Sequence, residues 1–105
     1  MKHRPLRESD IENYLVKVAK SLGGECRKVK WIGRRGAPDR IVMLPGGQYS
    51  RDMQNISRAK TIWIELKAPG VAPEPHQLRE HERMRKMGQR VEVVDSYVRV
   101  DEVLS

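Results

Sequence analysis

The first periodic stretch of the chain carries apolar side chains at helical spacing. They recur three or four residues apart, at Ile11, Leu15, Val18, Ala19 and Leu22. The segment Ser9-Asp10-Ile11-Glu12 has the form of a capping box, and Gly23-Gly24 supplies a stop. The pattern predicts an amphipathic helix between these two signals.

Short runs rich in β-branched or alternating residues follow this helix. They cover residues 25–31, 39–44, 61–67 and 91–94, and each reads as a strand. Residues 48–60, between the second and third strands, lack a strong period and are long for a hairpin connection. We expect a functional or partner-contacting loop in this insertion, residues 45–60.

A second, highly charged helix is predicted between the last two strands. Pro73 and Pro75 open it, and it runs to about Met87 before Gly88 ends it. A strand, a helix and a further strand in this order indicate a parallel crossover. The sequence therefore predicts one α/β domain over residues 1–105, with αβββαβ order and a mixed sheet flanked by helices; the tail from Tyr97 to Ser105 is ambiguous.

Composition adds a strong positive charge to this picture. Lys and Arg number 21 against 14 Asp and Glu, which gives a net charge of +7 in 105 residues. Such an excess favours a polyanionic partner, with nucleic acid as the first candidate.

The single Cys26 excludes an intrachain disulfide and a cysteine-rich zinc site, and it fits a reducing cytosol. No apolar run approaches the roughly 18 residues that span a membrane, and the first nine residues are polar and basic. We expect a cytoplasmic protein, in the host cytoplasm if it is virus-borne, with no membrane partner.

Candidate chemistry gathers on the second and third predicted strands. Glu65 and Lys67 are two residues apart and so project from the same face of their strand. Asp39 begins the neighbouring strand directly after Pro38, and pairing of the two strands would place it beside Glu65. Two carboxylates can hold Mg²⁺, while Lys67 can orient the attacking water and offset phosphate charge. This combination predicts phosphodiester hydrolysis.

These residues carry a resemblance to a known family. Gly36-Ala37-Pro38-Asp39 and Ile64-Glu65-Leu66-Lys67 resemble the P-D...(D/E)-x-K signature of the restriction-endonuclease-like nucleases. Together with Pro75-His76-Gln77, Gly88 and the segment 91–96, they resemble the virus-type replication-repair nuclease domain, VRR-NUC, in its small stand-alone form.

The resemblance implies a restriction-endonuclease-like core and a metal-dependent endonuclease. In it, Mg²⁺ or Mn²⁺ would be bound by Asp39, Glu65, the backbone carbonyl of Leu66 and Glu12. Lys67 would assist the water, and Glu12 and Gln77 would complete the site. The insertion at 45–60 departs from the family pattern.

Each of these residues also has a plain structural interpretation. Glu12 can return a hydrogen bond to the helix cap, although it lies within the apolar arc, and Glu8 shares its side only if the helix begins earlier. Asp39 can simply begin a strand, Glu65 with Lys67 can form an exposed pair, and Gln77 can make a structural hydrogen bond. His76 and His81 are five residues apart, which is not a zinc-protease spacing, and both are predicted at the surface or the rim of the site.

Basic side chains crowd around the loop before Asp39. Phosphate contact is predicted for Arg27, Lys28, Lys30, Arg34 and Arg35, with an ordinary solvated face as the alternative. The outer face of the second helix is predicted to be solvated and salt-bridged; it comprises Arg79, Glu80, Glu82, Arg83, Arg85 and Lys86.

The sequence thus predicts a Mg²⁺- or Mn²⁺-dependent DNA endonuclease that acts on branched DNA such as a four-way Holliday junction, as in DNA repair or a phage. The resemblance implies 5′-phosphate and 3′-hydroxyl ends. Two cuts on opposing strands need two sites, so we expect a twofold homodimer. A non-catalytic basic binding module and a sequence-selective restriction-type endonuclease are the alternatives.

Overall fold

A computed structural model describes residues 4–46 and 59–105 of the chain. The elements in these ranges are α1 (Glu8–Ser21), β1 (Glu25–Lys28), β2 (Arg40–Leu44), β3 (Lys60–Leu66), α2 (Pro75–Lys86), β4 (Val91–Val94) and α3 (Tyr97–Leu104). The first six follow the predicted order. The ambiguous tail is a third helix, which is capped by Ser96, whose hydroxyl accepts a hydrogen bond from the amide of Arg99 at 3.0 Å.

The four strands form one mixed sheet in the order β1-β2-β3-β4. β1 pairs with β2 and β2 with β3 in antiparallel fashion, whereas β3 and β4 are parallel. The parallel pair confirms the predicted crossover through α2, and the α/β architecture is confirmed with it. β3 is a central strand, so both of its edges are hydrogen-bonded, one to β2 and the other to β4.

The main core lies between the sheet and the pair α1 and α3. Alternate residues of β3, Ile62, Ile64 and Leu66, point into it and are almost fully buried. They meet Ile11 and Leu15 of α1. The intervening residues of β3, which include Trp63 and Glu65, project from the opposite face, where α2 packs.

The beginning of α1 differs from the prediction. The helix begins one residue before Ser9, because the carboxylate of Asp10 accepts a hydrogen bond from the amide of Arg7 at 2.9 Å. The predicted Ser9–Glu12 capping box is therefore wrong, and Glu12 takes no part in the cap. The guanidinium of Arg4 beside Asp10 lowers the pKa of that carboxyl well below its usual range.

Smaller differences concern the strand ends and the insertion. β1 ends at Lys28 and not at Trp31, and β2 begins at Arg40, one residue after Asp39. Most of the predicted loop at 48–60 lies outside the described residues. Among the helices that the structure describes, none is long and apolar enough to cross a membrane.

Candidate functional site

Strand pairing brings Asp39 and Glu65 to the same place on the sheet. Arg40 pairs with Ile64, so one further step along the antiparallel register sets Asp39 opposite Glu65. The backbone of Asp39 is held from the other side, where the amide of Val29 donates to its carbonyl at 2.8 Å. The side chain of Asp39 remains 56% exposed. One carboxylate therefore faces solvent while its neighbour lies in the protein.

Glu65 is a buried carboxyl group, with only 6% of its surface exposed. Burial penalises its charged form, and the nearby charges of Asp39 and Glu8 act in the same direction. Lys67 and Arg40 oppose this effect, and the net result raises the pKa of Glu65 to about 7. The nearby positive charges therefore offset only part of the cost of burying this carboxyl group.

His81 of α2 is the direct partner of Glu65. Its Nε2 lies 3.1 Å from Oε1 of Glu65, and the imidazole is fully buried. Desolvation lowers the pKa of His81, so the neutral ring is favoured. The prediction that His81 lies at the surface or rim is wrong: it lies on the inner face of α2, one turn from Met84, and only His76 is partly exposed.

Lys67 follows β3 on the same face as Glu65. Its side chain is half-buried, and its charge lowers the pKa of Glu65 through space. The amide of Lys67 donates to the carbonyl of Val94 at 3.0 Å, which ties the end of β3 to β4. Leu66 between them turns into the core, as the alternation predicts.

Arg40 connects the carboxylates on α1 with the site. Its Nη2 donates to Glu12, and its Nη1 lies 3.0 Å from Oδ2 of Asp39. Lys28 lies 3.8 Å from the other oxygen of Glu12. Glu12 is thus held in an ion-pair network next to Asp39. Glu8, one turn earlier, is close enough to raise the pKa of Glu65.

The structure gives Gln77 a capping contact. Its Oε1 accepts a hydrogen bond from the amide of Glu74 at 2.8 Å, at the beginning of α2. This contact corresponds to the structural hydrogen bond that was the alternative interpretation of Gln77 in the sequence. The contact holds the amide of Gln77 at the end of the helix.

The basic residues divide into two groups. Lys28, Lys30, Arg34 and Arg40 line a groove of about 480 Å³ together with Trp31 and Asp39, which we call the basic groove. Arg27 instead pairs with Glu25 at 2.5 Å, and Arg35 is exposed outside the lining of the groove. The groove leads from β1 to the Asp39 carboxylate.

Glu80 contradicts the prediction of a wholly solvated outer face on α2. It is only 2% exposed, and it accepts hydrogen bonds from Arg34 at 2.5 and 2.9 Å. The Arg34 guanidinium, with Arg83 beside it, lowers the pKa of Glu80 to about 2. The carboxylate is buried because it anchors the loop before Asp39 to α2.

Comparison with known proteins assigns this arrangement to a family. A solved structure described as a VRR-NUC domain matches with a TM-score of 0.74 and 39% sequence identity, over 92% of each chain. The "Putative nuclease p44" of Acyrthosiphon pisum secondary endosymbiont phage 1 is 44% identical over 93 residues, which are 89% of this chain and 87% of the relative.

The chain belongs to the VRR-NUC family. Its fold is therefore the restriction-endonuclease-like α/β fold, and the family assignment makes it a hydrolytic nuclease. No family model matches the sequence. The recognition of the VRR-NUC signature from the Pro38-Asp39 and Glu65-Leu66-Lys67 motifs is confirmed.

The VRR-NUC fold implies a divalent metal, and the donor set can be tested against that expectation. Within the described residues, no three His, Cys, Asp or Glu side chains group closely enough to hold an ion. Mg²⁺ needs no such cage, because it binds through one or two carboxylates, its own waters and substrate phosphates. No described residue hydrogen-bonds to Oε2 of Glu65, and the strand register sets Glu65 opposite Asp39. This two-carboxylate set fits a hard, water-carrying cation.

Three residues of the VRR-NUC site were not predicted in their actual roles. The position of Arg40 could have been predicted from the alternation of side chains along β2, since Arg40 shares a face with Val42 and so points towards α1. His81 shares a helical stripe with Gln77 and Met84, a signal that the sequence did contain. Glu8 depended on where α1 begins, which the side chain of Asp10 decides.

Proposed function

We propose that this VRR-NUC protein is a Mg²⁺- or Mn²⁺-dependent endodeoxyribonuclease that prefers branched DNA and works as a single domain over residues 1–105. The observation that supports it best is the buried Glu65, whose register sets it opposite Asp39 and whose strand also carries Lys67. A buried carboxyl group whose pKa is shifted by desolvation and by specific charged neighbours is a functional-site signature.

Asp39 and Glu65 would hold the cation, with Glu8 or Glu12 and the carbonyl of Leu66 as further oxygen donors. When bound, the metal acts as a Lewis acid and lowers the pKa of its water. Lys67 orients the attacking water and balances the charge that develops on the phosphate. The water oxygen bonds to phosphorus and releases a proton to solvent, the bond from phosphorus to O3′ breaks, and O3′ takes up a proton from solvent. The products are 5′-phosphate and 3′-hydroxyl ends.

The basic groove supports DNA as the substrate. Lys28, Lys30 and Arg34 line it beside Asp39, so a phosphate backbone that follows these side chains reaches the carboxylates. Contacts of this kind read no bases and favour recognition of DNA shape. Resolution of a four-way junction needs two cuts and hence two sites, which a twofold homodimer would supply. The phage origin of the relative supports DNA processing in a host cytoplasm.

Cleavage of matched linear, flap and four-way substrates with Mg²⁺ or Mn²⁺ tests this function, with Lys67→Ala beside the unchanged protein. We expect the variant to bind DNA with a similar salt dependence while turnover falls by about two orders of magnitude. Lys17→Ala, which removes an exposed charge from α1, is the matched control and retains turnover.

Full turnover in Lys67→Ala would remove Lys67 from the mechanism. Absence of cleavage on every substrate, together with no heat on Mn²⁺ titration and no difference from Asp39→Ala, would make the protein a non-catalytic binding module. Cutting of linear duplex at fixed sequences would identify a restriction-type enzyme instead.

A further inference from the structure

A second cavity adjoins the basic groove on the α2 side of the sheet. Its volume is about 490 Å³, within the range of small-molecule sites. It is lined by Trp31, Trp63, Met84, Met87 and Gln89 and by the ion pair of Arg34 with Glu80, and we call it the tryptophan pocket. Trp31 and Arg34 also line the basic groove. The pocket and the groove therefore share a wall.

The two indoles form an aromatic surface, and the N–H group of each indole already has a hydrogen-bond acceptor within the protein. Their ring centroids are 5.3 Å apart, with the planes tilted by 48°. The Nε1 of Trp31 donates to the carbonyl of Pro38 at 2.7 Å, and that of Trp63 donates to Oε1 of Gln89 at 3.0 Å. Because both donors are used, the rings can offer a ligand their faces and little else.

Methionines complete the lining of the tryptophan pocket. Met84 is buried, whereas Met87 is 67% exposed at the end of α2. A flexible thioether adapts to flat ligands and contacts aromatic rings favourably. An exposed methionine beside two half-buried indoles is a surface that an apolar, planar group can cover.

The pocket lies close to the candidate catalytic residues. Trp63 precedes Glu65 by two residues, so it projects from the same face of β3 about 7 Å along the strand. Trp31 reaches Pro38, next to Asp39, through its hydrogen bond. A nucleic acid whose phosphates follow the basic groove therefore passes the mouth of the pocket.

We propose that the tryptophan pocket binds one unpaired nucleobase of the DNA substrate by stacking. The inference rests on the proposed nuclease function and deepens it, because a base can enter only where it is free of its duplex. The cationic groove selects a polyanionic occupant, and the aromatic faces accept every base. The pocket would thus favour branched or single-stranded DNA without reading its sequence.

The protein contains its own reporter for this contact. Its only tryptophans are the two in the pocket, so its tryptophan fluorescence arises there. We would titrate the unchanged protein, in EDTA, with an oligonucleotide of twelve thymidines and with an abasic chain of the same length. The two probes carry the same number of phosphates and differ in their bases.

We expect the thymidine chain to quench the fluorescence and to bind about tenfold more tightly than the abasic chain. Trp63→Leu should remove most of this difference, and Trp63→Phe, which keeps a ring, should retain it. Lys30→Ala should lower the affinity for both probes by the same factor, since it removes a phosphate contact. Equal affinity of the two probes, or no fluorescence change at saturation, would overturn the proposal.

Self-association is the competing use of an apolar pocket, and the same measurements detect it. If a second copy of the chain covers the tryptophans, the fluorescence will change with protein concentration and not with the thymidine chain, which overturns the proposal. Cleavage of flap DNA with Mg²⁺ by the unchanged protein separates the two claims. If the protein cleaves flap DNA but binds the two probes with equal affinity, the proposal for the tryptophan pocket is rejected and the nuclease function stands. If it prefers the thymidine chain but cleaves no DNA, the nuclease function is rejected and the base-binding pocket stands.

Discussion

The protonation of Glu65 depends on burial more than on any partner. Desolvation is the largest cause of its raised pKa; the charge of Lys67 acts against it, and the charge of Asp39 adds to it. The imidazole of His81 is neutral in the same environment and offers no positive charge to offset this. Without a bound cation, the ionised form of Glu65 destabilises the folded protein. This cost can be measured as a change in the free energy of unfolding.

In the metal-free protein, Glu65 should make the free energy of unfolding fall as pH rises. Its pKa is about 7 in the folded state against an ordinary 4.5, so the folded protein retains a proton that the unfolded chain releases. The stability contribution is complete below pH 4.5 and is lost as pH rises to about 7. As pH rises between these limits, the free energy of unfolding of Glu65→Gln should therefore increase relative to that of the unchanged protein, by on the order of 1–3 kcal/mol.

Chemical denaturation in EDTA between pH 4.5 and 8 checks this expectation. Glu82→Gln, at an exposed position of α2, is the control and should follow the unchanged protein. A difference between Glu65→Gln and the unchanged protein that is constant across this range would show that Glu65 titrates normally.

His81 should position Glu65 for metal binding. When Glu65 is ionised, Nε2–H of His81 can donate to Oε1 and leave Oε2 for the metal, and partners of this kind typically change metal affinity by about 10- to 100-fold. His81→Leu removes the donor, whereas His81→Gln can return an amide N–H to the same oxygen. We expect Mn²⁺ affinity, measured by calorimetry, to fall in the first variant and to recover largely in the second. Equal affinities in both variants and the unchanged protein would leave His81 with a packing role only.

The sequence predicted the members of the site better than their partners. Asp39, Glu65 and Lys67 follow from two short motifs and the alternation of a strand. The roles of Glu12 and Gln77 stayed open, because one turn of a helix decides whether such a side chain caps or faces the sheet. Asp10 takes the cap of α1, and Gln77 takes that of α2.

At the level of elements, the segment between β1 and β2 is the part that sets the position of Asp39. It is held by Arg34 on Glu80, by Trp31 on Pro38 and by the backbone pairing of Val29 with Asp39. Gly36 lies against α2 with φ of +85°, and a Cβ there would approach the carbonyl of His76 to 2.8 Å. A segment without regular structure is therefore fixed at several points.

Loss of the Arg34–Glu80 pair should loosen this segment before it unfolds the protein. In Glu80→Gln, one bidentate contact between the loop and α2 is weakened, and residues 30–35 gain access to solvent. We expect tryptic cleavage after Lys30 or Arg35 to be several-fold faster under native conditions. Arg83→Ala is the control, since it removes the other partner of Glu80 from within α2. An equal acceleration in both variants would mean that the loop is held by other contacts.

The elements themselves were largely readable from pattern. β3 is apolar at every second position because α1 and α3 cover one face, and α2 is bounded by Pro75 and Gly88. α3 was ambiguous because it has only eight residues, of which Val100, Val103 and Leu104 are buried, too few for a clear period. Its place is determined by packing on α1 and the sheet, which no local signal reports.

Over the whole molecule, the positive charges that give the net charge of +7 are unevenly distributed. Arg83 and Arg85 of α2 pair with carboxylates of the same helix, and Arg99 of α3 pairs with Glu92 at 3.0 Å. The basic groove gathers Lys28, Lys30 and Arg34 beside the exposed carboxylate of Asp39. Arg34 also pairs with Glu80 and Lys28 lies near Glu12, whereas Lys30 makes no ion pair with any described residue. The field that a polyanion meets should therefore be strongest at the site and weaker elsewhere.

This distribution predicts the salt dependence of DNA binding. Each phosphate contact that is removed lowers the slope of log affinity against log salt by about 0.9 for duplex DNA. Lys30→Ala should show such a decrease, measured by fluorescence anisotropy in EDTA across a range of salt concentrations. Arg79→Ala removes the same charge from an exposed position of α2 and should leave the slope unchanged. If both variants reduce it equally, DNA binds to the net charge of the molecule and the basic groove does not direct it to Asp39.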